Sequence, residues 1–135
     1  LRRNTAQVNQ GFDAIDPISA PPAESHYDLV IDAVGGKATR MSASHAARPG
    51  GVITHIGLQD SNDGLDIRKL TLQEIMFIGT YTYTMVDFRA TVAALHSGAL
   101  GALDWIEKRN LADGDQAFKD LHNDKVSAAK IILTT

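Results

Sequence analysis

The chain has 135 residues, of which 44% are hydrophobic and 21% charged, with a formal charge of −3 and no cysteine. This is the balance of one soluble globular domain. It excludes a basic footprint for nucleic acid or an anionic membrane, disulfides and thiolate-held zinc within this stretch, and, with no apolar run near ~18 residues, a membrane span. The cytoplasm is the expected location.

The first residue is Leu, and Leu1 to Gly11 reads as the tail of an amphipathic helix ending at a glycine. A chain that opens inside a helix is expected to be a piece of something longer. Phe12 to Pro17 predicts a short strand stopped by proline, and Ser19 to Ser25 a polar loop with room for a short helix. Asp28-Leu-Val-Ile-Asp-Ala-Val34 and Gly51-Val-Ile-Thr-His-Ile56 are apolar strand runs, each followed or opened by glycine. Between them, Lys37 to Ala47 predicts a helix with Ala38, Met41 and His45 on its apolar face, closed by Arg48-Pro-Gly-Gly51. Strand, helix, strand with glycine at the strand ends predicts a βαβ unit whose sheet receives a ligand at its carboxyl edge.

Gln59 to Asp66 reads as a polar loop, Ile67 to Glu74 as a short helix, and Ile75 to Ile78 as a buried strand ending at Gly79. Thr80-Tyr-Thr-Tyr-Thr84 alternates hydroxyl and aromatic side chains, which predicts that the strand continues. Asp87 is the expected cap of a helix with Phe88, Val92 and Leu95 on one face and Gly98 at its end. Leu103 to Arg109, containing Trp105, is expected to be extended. Asp113 and Gln116 have capping-box spacing and open a helix with Ala117, Phe118 and Leu121 inward; Ala129 to Leu133 is the final strand.

Motifs that carry a mechanism are missing. There is no G-x-G-x-x-G, no P-loop despite Gly36-Lys37-Ala38-Thr39, no H-E-x-x-H and no G-x-S-x-G. Histidines 26, 45, 55, 96 and 122 form no pair at metal-ligand spacing. No catalytic residue and no metal ligand is assigned. The remaining candidate is the edge made by the strand ends Ala33-Val34-Gly35 and Ile56-Gly57-Leu58, expected side by side. Glycine there admits a flat ligand close to the backbone, and spacing alone leaves open whether Gly35 and Gly57 serve a ligand or simply turn the chain. Gly50 and Gly51 read as turn formers. Asp32, inside an apolar strand, reads as a hydrogen-bonded structural carboxylate.

These pieces, in order, resemble the medium-chain alcohol dehydrogenase family, which includes zinc-dependent polyol dehydrogenases and zinc-free quinone reductases. The resemblance rests on Arg3 and Ala6 through Gly11 to Pro17; Tyr27-Asp-Leu-Val-Ile-Asp-Ala-Val-Gly-Gly36; Pro49 to Ile53; and Ile56-Gly-Leu58. It continues through Glu74 to Thr80, Asp87-Phe88, Leu95-His-Ser-Gly98, Trp105-Ile106, Arg109, Leu111, Gln116-Ala-Phe118 and Lys130-Ile-Ile-Leu133.

The resemblance implies the carboxyl-terminal part of such an enzyme. Its fold would be α/β, a partial Rossmann-type doubly wound parallel sheet lacking its first strands, plus a segment returning to the catalytic domain. Residues 1–79 would be the end of the NAD(P)-binding domain and 80–135 the returning segment. It implies NAD or NADP as cofactor, zinc only in a full-length parent, and an alcohol, carbonyl or quinone as substrate. By position, Arg3 matches a basic residue near the adenosine ribose. Ala33, Val34 and Gly35 match the strand end passing the nicotinamide-side ribose and adenosine region. Ile56, Gly57 and Leu58 match the strand end that meets the carboxamide. Thr80, Tyr81 and Thr82 match a segment bordering the nicotinamide ring, and Lys130 a basic residue that reaches the phosphates in some relatives. Arg3 and Lys130 read equally well as solvated surface residues, and Tyr83 as a pocket, core or interface residue.

The family's glycine-rich turn, acidic ribose reader and zinc ligands have no counterpart in this stretch. NAD(H) binding by these residues alone is therefore expected to be weak or absent. An open sheet edge invites pairing, and Ile75 to Thr82 is the expected seam of a homodimer or larger assembly. Two other classes fit the same residues: a non-catalytic nucleotide-binding or regulatory module, and a structural assembly domain using Ile75 to Thr84 and the last strand.

Overall fold

The computed structural model describes residues 11, 13–102 and 106–135. They separate into two compact units, one spanning Asp16–Thr84 and the other holding Met85–Thr135. The Thr80–Thr84 link therefore goes with the first unit.

The first unit is a three-stranded sheet in the order β1-β2-β3, with β1 Tyr27–Asp32, β2 Ala47–His55 and β3 Met76–Gly79. Both pairings are parallel. Parallel neighbours need a crossover, supplied by α1 (Lys37–Ala46) and α2 (Ile67–Leu72). The chain thus has the α/β architecture expected of part of a Rossmann-type sheet. Arg48 to Gly51, expected to close α1, lie instead within β2 as a bulge: Tyr27 pairs with Ala47 and Leu29 with Val52, so the extra residues loop out. Phe12 lies outside the described residues, and 13–16 are irregular rather than strand. The alternating Thr80–Thr84 segment is irregular too. No described strand pairs with β3 on its far side, so alternation there has nothing to extend.

Ile53 is completely buried at the centre of the core, packed with Ala43, Ala47, Leu70 and Ile75 and flanked by Val30 and Leu65. The buried face of α1 is Arg40, Ala43, Ser44 and Ala46, not the expected Ala38, Met41 and His45. Small side chains on that face let the helix lie close to the sheet, and Met41 is left 57% exposed. Strand β3, expected to be buried, is exposed along its length; only Ile75 before it is buried. Asp66 caps α2 by accepting from the Lys69 amide (2.9 Å).

The second unit contains α3 (Met85–His96), then β4 (Ile106–Asn110), a 3₁₀ turn (Leu111–Asp113), α4 (Gly114–His122) and β5 (Lys130–Thr134). Strands β4 and β5 pair in parallel, so this unit also contains a βαβ motif. Helix α3 buries no residue, although Phe88, Val92 and Leu95 share a face. The expected capping box at α4 does not form. Asp113 makes no side-chain cap bond, and Gln116 donates instead to Asp120 Oδ1 (2.8 Å). Arg109 holds the other Asp120 oxygen (2.7 Å) and Glu107 Oε1 (2.6 Å), which keeps the Asp120 carboxyl below its ordinary pKa. Ala117 faces inward as expected, but Phe118 is 73% exposed.

The core that α1 packs on and the outer face of α1 give a direct test. Ile53→Ala should destabilise the fold by about 2–5 kcal/mol in urea unfolding. Met41→Ala should change it by no more than about 0.5 kcal/mol. Similar losses from both would contradict the observed face.

Candidate functional site

The carboxyl ends of β1 and β2 lie side by side, and glycine is what permits it. A Cβ at Gly35 would stand 2.0 Å from the Gly57 carbonyl oxygen, and one at Gly57 would stand 2.0 Å from the Val34 carbonyl carbon. Gly35 also has φ +71°, a left-handed conformation that side chains disfavour. The two glycines thus make room for each other's turn.

Asp32 organises this edge. Its side chain is 2% exposed. Oδ1 accepts from the Val34 and Gly35 amides (3.1 and 2.8 Å), and Oδ2 lies 3.0 Å from the Thr39 hydroxyl. Its backbone carbonyl accepts from the Ile56 and Gly57 amides (2.9 and 3.1 Å). One buried residue therefore ties both strand ends together, the structural role expected of it. The amides of Val34, Gly35, Ile56 and Gly57 are all taken within the protein. At these four residues recognition is left to carbonyl lone pairs and side chains. Val34, Ile56 and Leu58 supply an exposed apolar rim (39%, 41% and 77%) beside Ala33.

Arg40 is the residue that sequence reasoning missed. It is 6% exposed. Its guanidinium donates to the Gly35 carbonyl (2.8 Å), the Asp60 carbonyl (3.2 Å) and the Asp63 carbonyl (2.7 Å), and pairs with the Asp60 carboxylate and the Asn62 carbonyl. The Asp60 carboxylate in turn accepts from the Lys37 amide (2.9 Å), satisfying an open donor at the start of α1. Arg40 so fastens the 59–63 loop over the turn at Gly35. Charged residues on a helix are normally solvated, and the only signal for this one was the run of small residues around it. The Arg40 hydrogen bond, then the Lys37 amide, hold the Asp60 carboxyl below its ordinary pKa, against a smaller desolvation effect.

The expected site residues are distributed as follows. Ala33, Val34, Gly35, Ile56, Gly57 and Leu58 meet at the edge. Thr80 stands next to it, its amide donating to the His55 carbonyl (2.9 Å). Tyr81 is 84% exposed in the irregular segment with Thr82. Lys130 opens β5 in the other unit, paired with Ile106. Arg3 and Trp105 lie outside the described residues. A groove of about 600 Å³ runs along β1 and α1, lined by Pro17, Ile18, Leu29, Ile31 and Ala38, and shares Ala33 and Val34 with the edge. Among the described residues, no group of His, Asp and Glu is placed to hold a metal ion.

No protein-family model matches the chain. A probable D-xylulose reductase A of Neosartorya fischeri is 30% identical over 95 residues, covering 70% of this chain and 26% of that protein. The fold superposes on 2R,3R-butanediol dehydrogenase from Bacillus subtilis with a TM-score of 0.84 at 17% identity, covering 99% of this chain and 41% of that one. It superposes on acetophenone reductase from Geotrichum candidum, solved with NAD, at a TM-score of 0.73 and 20% identity, covering 96% and 38%. The chain is similar in sequence to probable D-xylulose reductases and shares the fold of alcohol dehydrogenases of known structure. It spans about a quarter of the length of the curated relatives it matches. That relationship agrees with the parallel sheet and with the ordered run of matching segments from Tyr27 to Leu133.

Two outcomes test the site's construction. Gly35→Ala must both clash with the Gly57 backbone and hold φ +71°. Each effect costs about 1–3 kcal/mol, so thermal unfolding should show a loss of several kcal/mol. The second concerns acid. Because the Asp60 pKa is lowered by folding, its contribution is complete above the ordinary carboxylate range. It is lost as pH falls through the folded-state value. The stability gap between wild type and Asp60→Asn in urea should therefore narrow steadily on acidification. A gap that is constant or widens toward low pH would contradict the Arg40–Asp60 account.

Proposed function

We propose that this chain supplies the nicotinamide end of the cofactor site in an NAD(P)-dependent oxidoreductase acting on an alcohol or carbonyl of the polyol type. The observation that carries the reading is the paired strand ends. Ala33–Gly35 and Ile56–Leu58 adjoin at the carboxyl edge of a parallel sheet, where open α/β sheets receive ligands. The names of the relatives support the reaction class, and the NAD complex supports the cofactor.

Bound there, the dinucleotide would supply the hydride donor or acceptor. The chain's own part is binding and orientation. The exposed apolar rim of Val34, Ile56 and Leu58 excludes water from one side of a flat ring, while the edge carbonyls accept hydrogen bonds from a carboxamide or ribose. Arg40 and Asp32 act by holding that edge still. Thr80, Tyr81 and Thr82 would border the ring; Arg3 and Lys130 stay expectations of the family resemblance, Arg3 outside the described residues and Lys130 in the other unit. Zinc, if the whole protein carries it, would be held by residues other than these.

A homodimer or larger assembly belongs to the same proposal. Strand β3 offers Met76, Phe77 and Ile78 at 57%, 36% and 41% exposure along an edge that no strand among the described residues pairs, the arrangement that favours strand pairing between chains. No helix among the described residues is long and apolar enough to cross a membrane, and a cytoplasmic location is proposed with the rest.

Calorimetry of the 135-residue chain with NADH should show weak binding without a tight stoichiometric step, because no glycine-rich βα turn is present to hold the pyrophosphate. Tight one-to-one binding would refute the division of the site proposed here. Light scattering at working concentration should give at least a dimer mass, and a monomer would remove the β3 seam.

A further inference from the structure

The chain holds two Asp-Gly bonds, Asp63–Gly64 and Asp113–Gly114. At such a bond the next main-chain nitrogen can attack the side-chain carboxyl, because glycine has no Cβ to block the approach. The fold treats the two bonds differently. Gly114 opens α4 with helical angles (φ −55°, ψ −46°), and its amide donates to the Leu111 carbonyl. That nitrogen is committed. Asp63 and Gly64 lie outside every helix and strand, and both have positive φ (+57° and +95°). Among the described residues, no hydrogen bond engages the Gly64 amide. The Asp63 side chain is 72% exposed and meets the exposed Lys37 ammonium at 3.3 Å, a surface pair that restrains it little. The carbonyl of the same peptide accepts from Nε of the buried Arg40 (2.7 Å).

We propose that Asp63–Gly64 is a site of spontaneous isoaspartate formation, and that Arg40 activates it. When the Gly64 amide gives its proton to solvent, the negative charge is shared between nitrogen and the Asp63 carbonyl oxygen. The guanidinium on that oxygen stabilises the charge, as donors aimed at a developing oxyanion do. The nitrogen then attacks Asp63 Cγ. An N–Cγ bond forms, and the carboxyl OH leaves with the amide hydrogen as one water. The product is a cyclic succinimide. A second water adds at the main-chain carbonyl carbon of Asp63 and breaks its bond to nitrogen. The chain now runs through Cβ and Cγ, and the former carbonyl is a free carboxylate. Opening at Cγ instead restores aspartate. One water leaves and one enters, so the mass is unchanged and no oxidant or reductant takes part.

The change falls on the loop that Arg40 fastens over Gly35. A Cβ at Gly64 would stand 2.3 Å from the Lys37 carbonyl oxygen, so this backbone is packed against the start of α1. An extra main-chain carbon at position 63 pushes it off that packing. Arg40 also donates to the Gly35 and Asp60 carbonyls, and it gains a new carboxylate as a competing partner. The isomer therefore loosens the 59–63 loop beside the candidate edge. This holds whatever ligand that edge receives.

Prolonged warm incubation of the full chain in neutral buffer, then proteolysis and electron-transfer mass spectrometry, counts isoaspartate at 63 and 113 separately. The folded chain should carry several-fold more at 63 than at 113. In guanidinium the two bonds should react alike, with 63 slower and 113 faster than in the folded chain. Equal or greater isoaspartate at 113 in the folded chain would overturn the site. Slower reaction at 63 when folded than when denatured would overturn the role of Arg40. Asp63→Glu, whose longer side chain disfavours the ring closure, should lose the signal at 63 and keep that at 113. If this variant does not fold, the comparison of folded and denatured wild type decides alone. The isomerised fraction should also unfold at lower urea than fresh chain, and an unchanged midpoint would overturn the loosening of the loop.

Discussion

Gly35 and Gly57 occupy the same small space, each with its backbone where the other's side chain would be. This contact fixes how closely the carboxyl ends of β1 and β2 approach. Asp32 then satisfies amides from both turns, and Arg40 brings the 59–63 loop down onto the Gly35 carbonyl. Any larger residue at either glycine would force the ends apart and leave those buried donors without acceptors. The candidate site is therefore a consequence of backbone packing. Its rim is apolar because Val34, Ile56 and Leu58 stand exposed there, while the amides of Val34, Gly35, Ile56 and Gly57 are engaged within the protein.

The sheet was legible because its strands are short apolar runs punctuated by glycine, and that signal does not depend on distant contacts. The adjacency of 33–35 and 56–58 followed from it. The helix face was not legible in the same way. Ala38 and Met41 look like a core stripe, yet the sheet accepts Ala43, Ser44 and Ala46 because small residues allow closer approach. Arg40 sits among them, and nothing local distinguishes a buried arginine from a solvated one. Its partners lie at Asp60, Asn62 and Asp63, about twenty residues away, and only the folded loop brings them near. The alternation at Thr80 to Thr84 failed for a related reason, since β propensity needs a neighbouring strand to be realised. At Asp113, local capping lost to the Arg109–Asp120–Gln116 network.

Much of the chain's apolar surface is uncovered. Leu29 and Ile31 on one sheet edge, Met76 and Ile78 on the other, and the Phe88–Val92–Leu95 face of α3 are all well exposed. Within each unit, exposed apolar groups of this kind mark contact regions. This agrees with a chain that spans about a quarter of its curated relatives. On the proposed reading the edge orients the nicotinamide end of a dinucleotide, and the glycine-rich turn that would hold its phosphates has no counterpart in this sequence.

The central claim is that the paired strand ends are where the dinucleotide lies. Backbone amide mapping of the labelled chain with NADH at millimolar concentration tests it most directly. The account predicts shifts concentrated at Ala33 to Gly35 and Ile56 to Leu58, with smaller ones at Thr80. Shifts confined to the Pro17–Ile18 end of the groove or to the β4–β5 unit would contradict it.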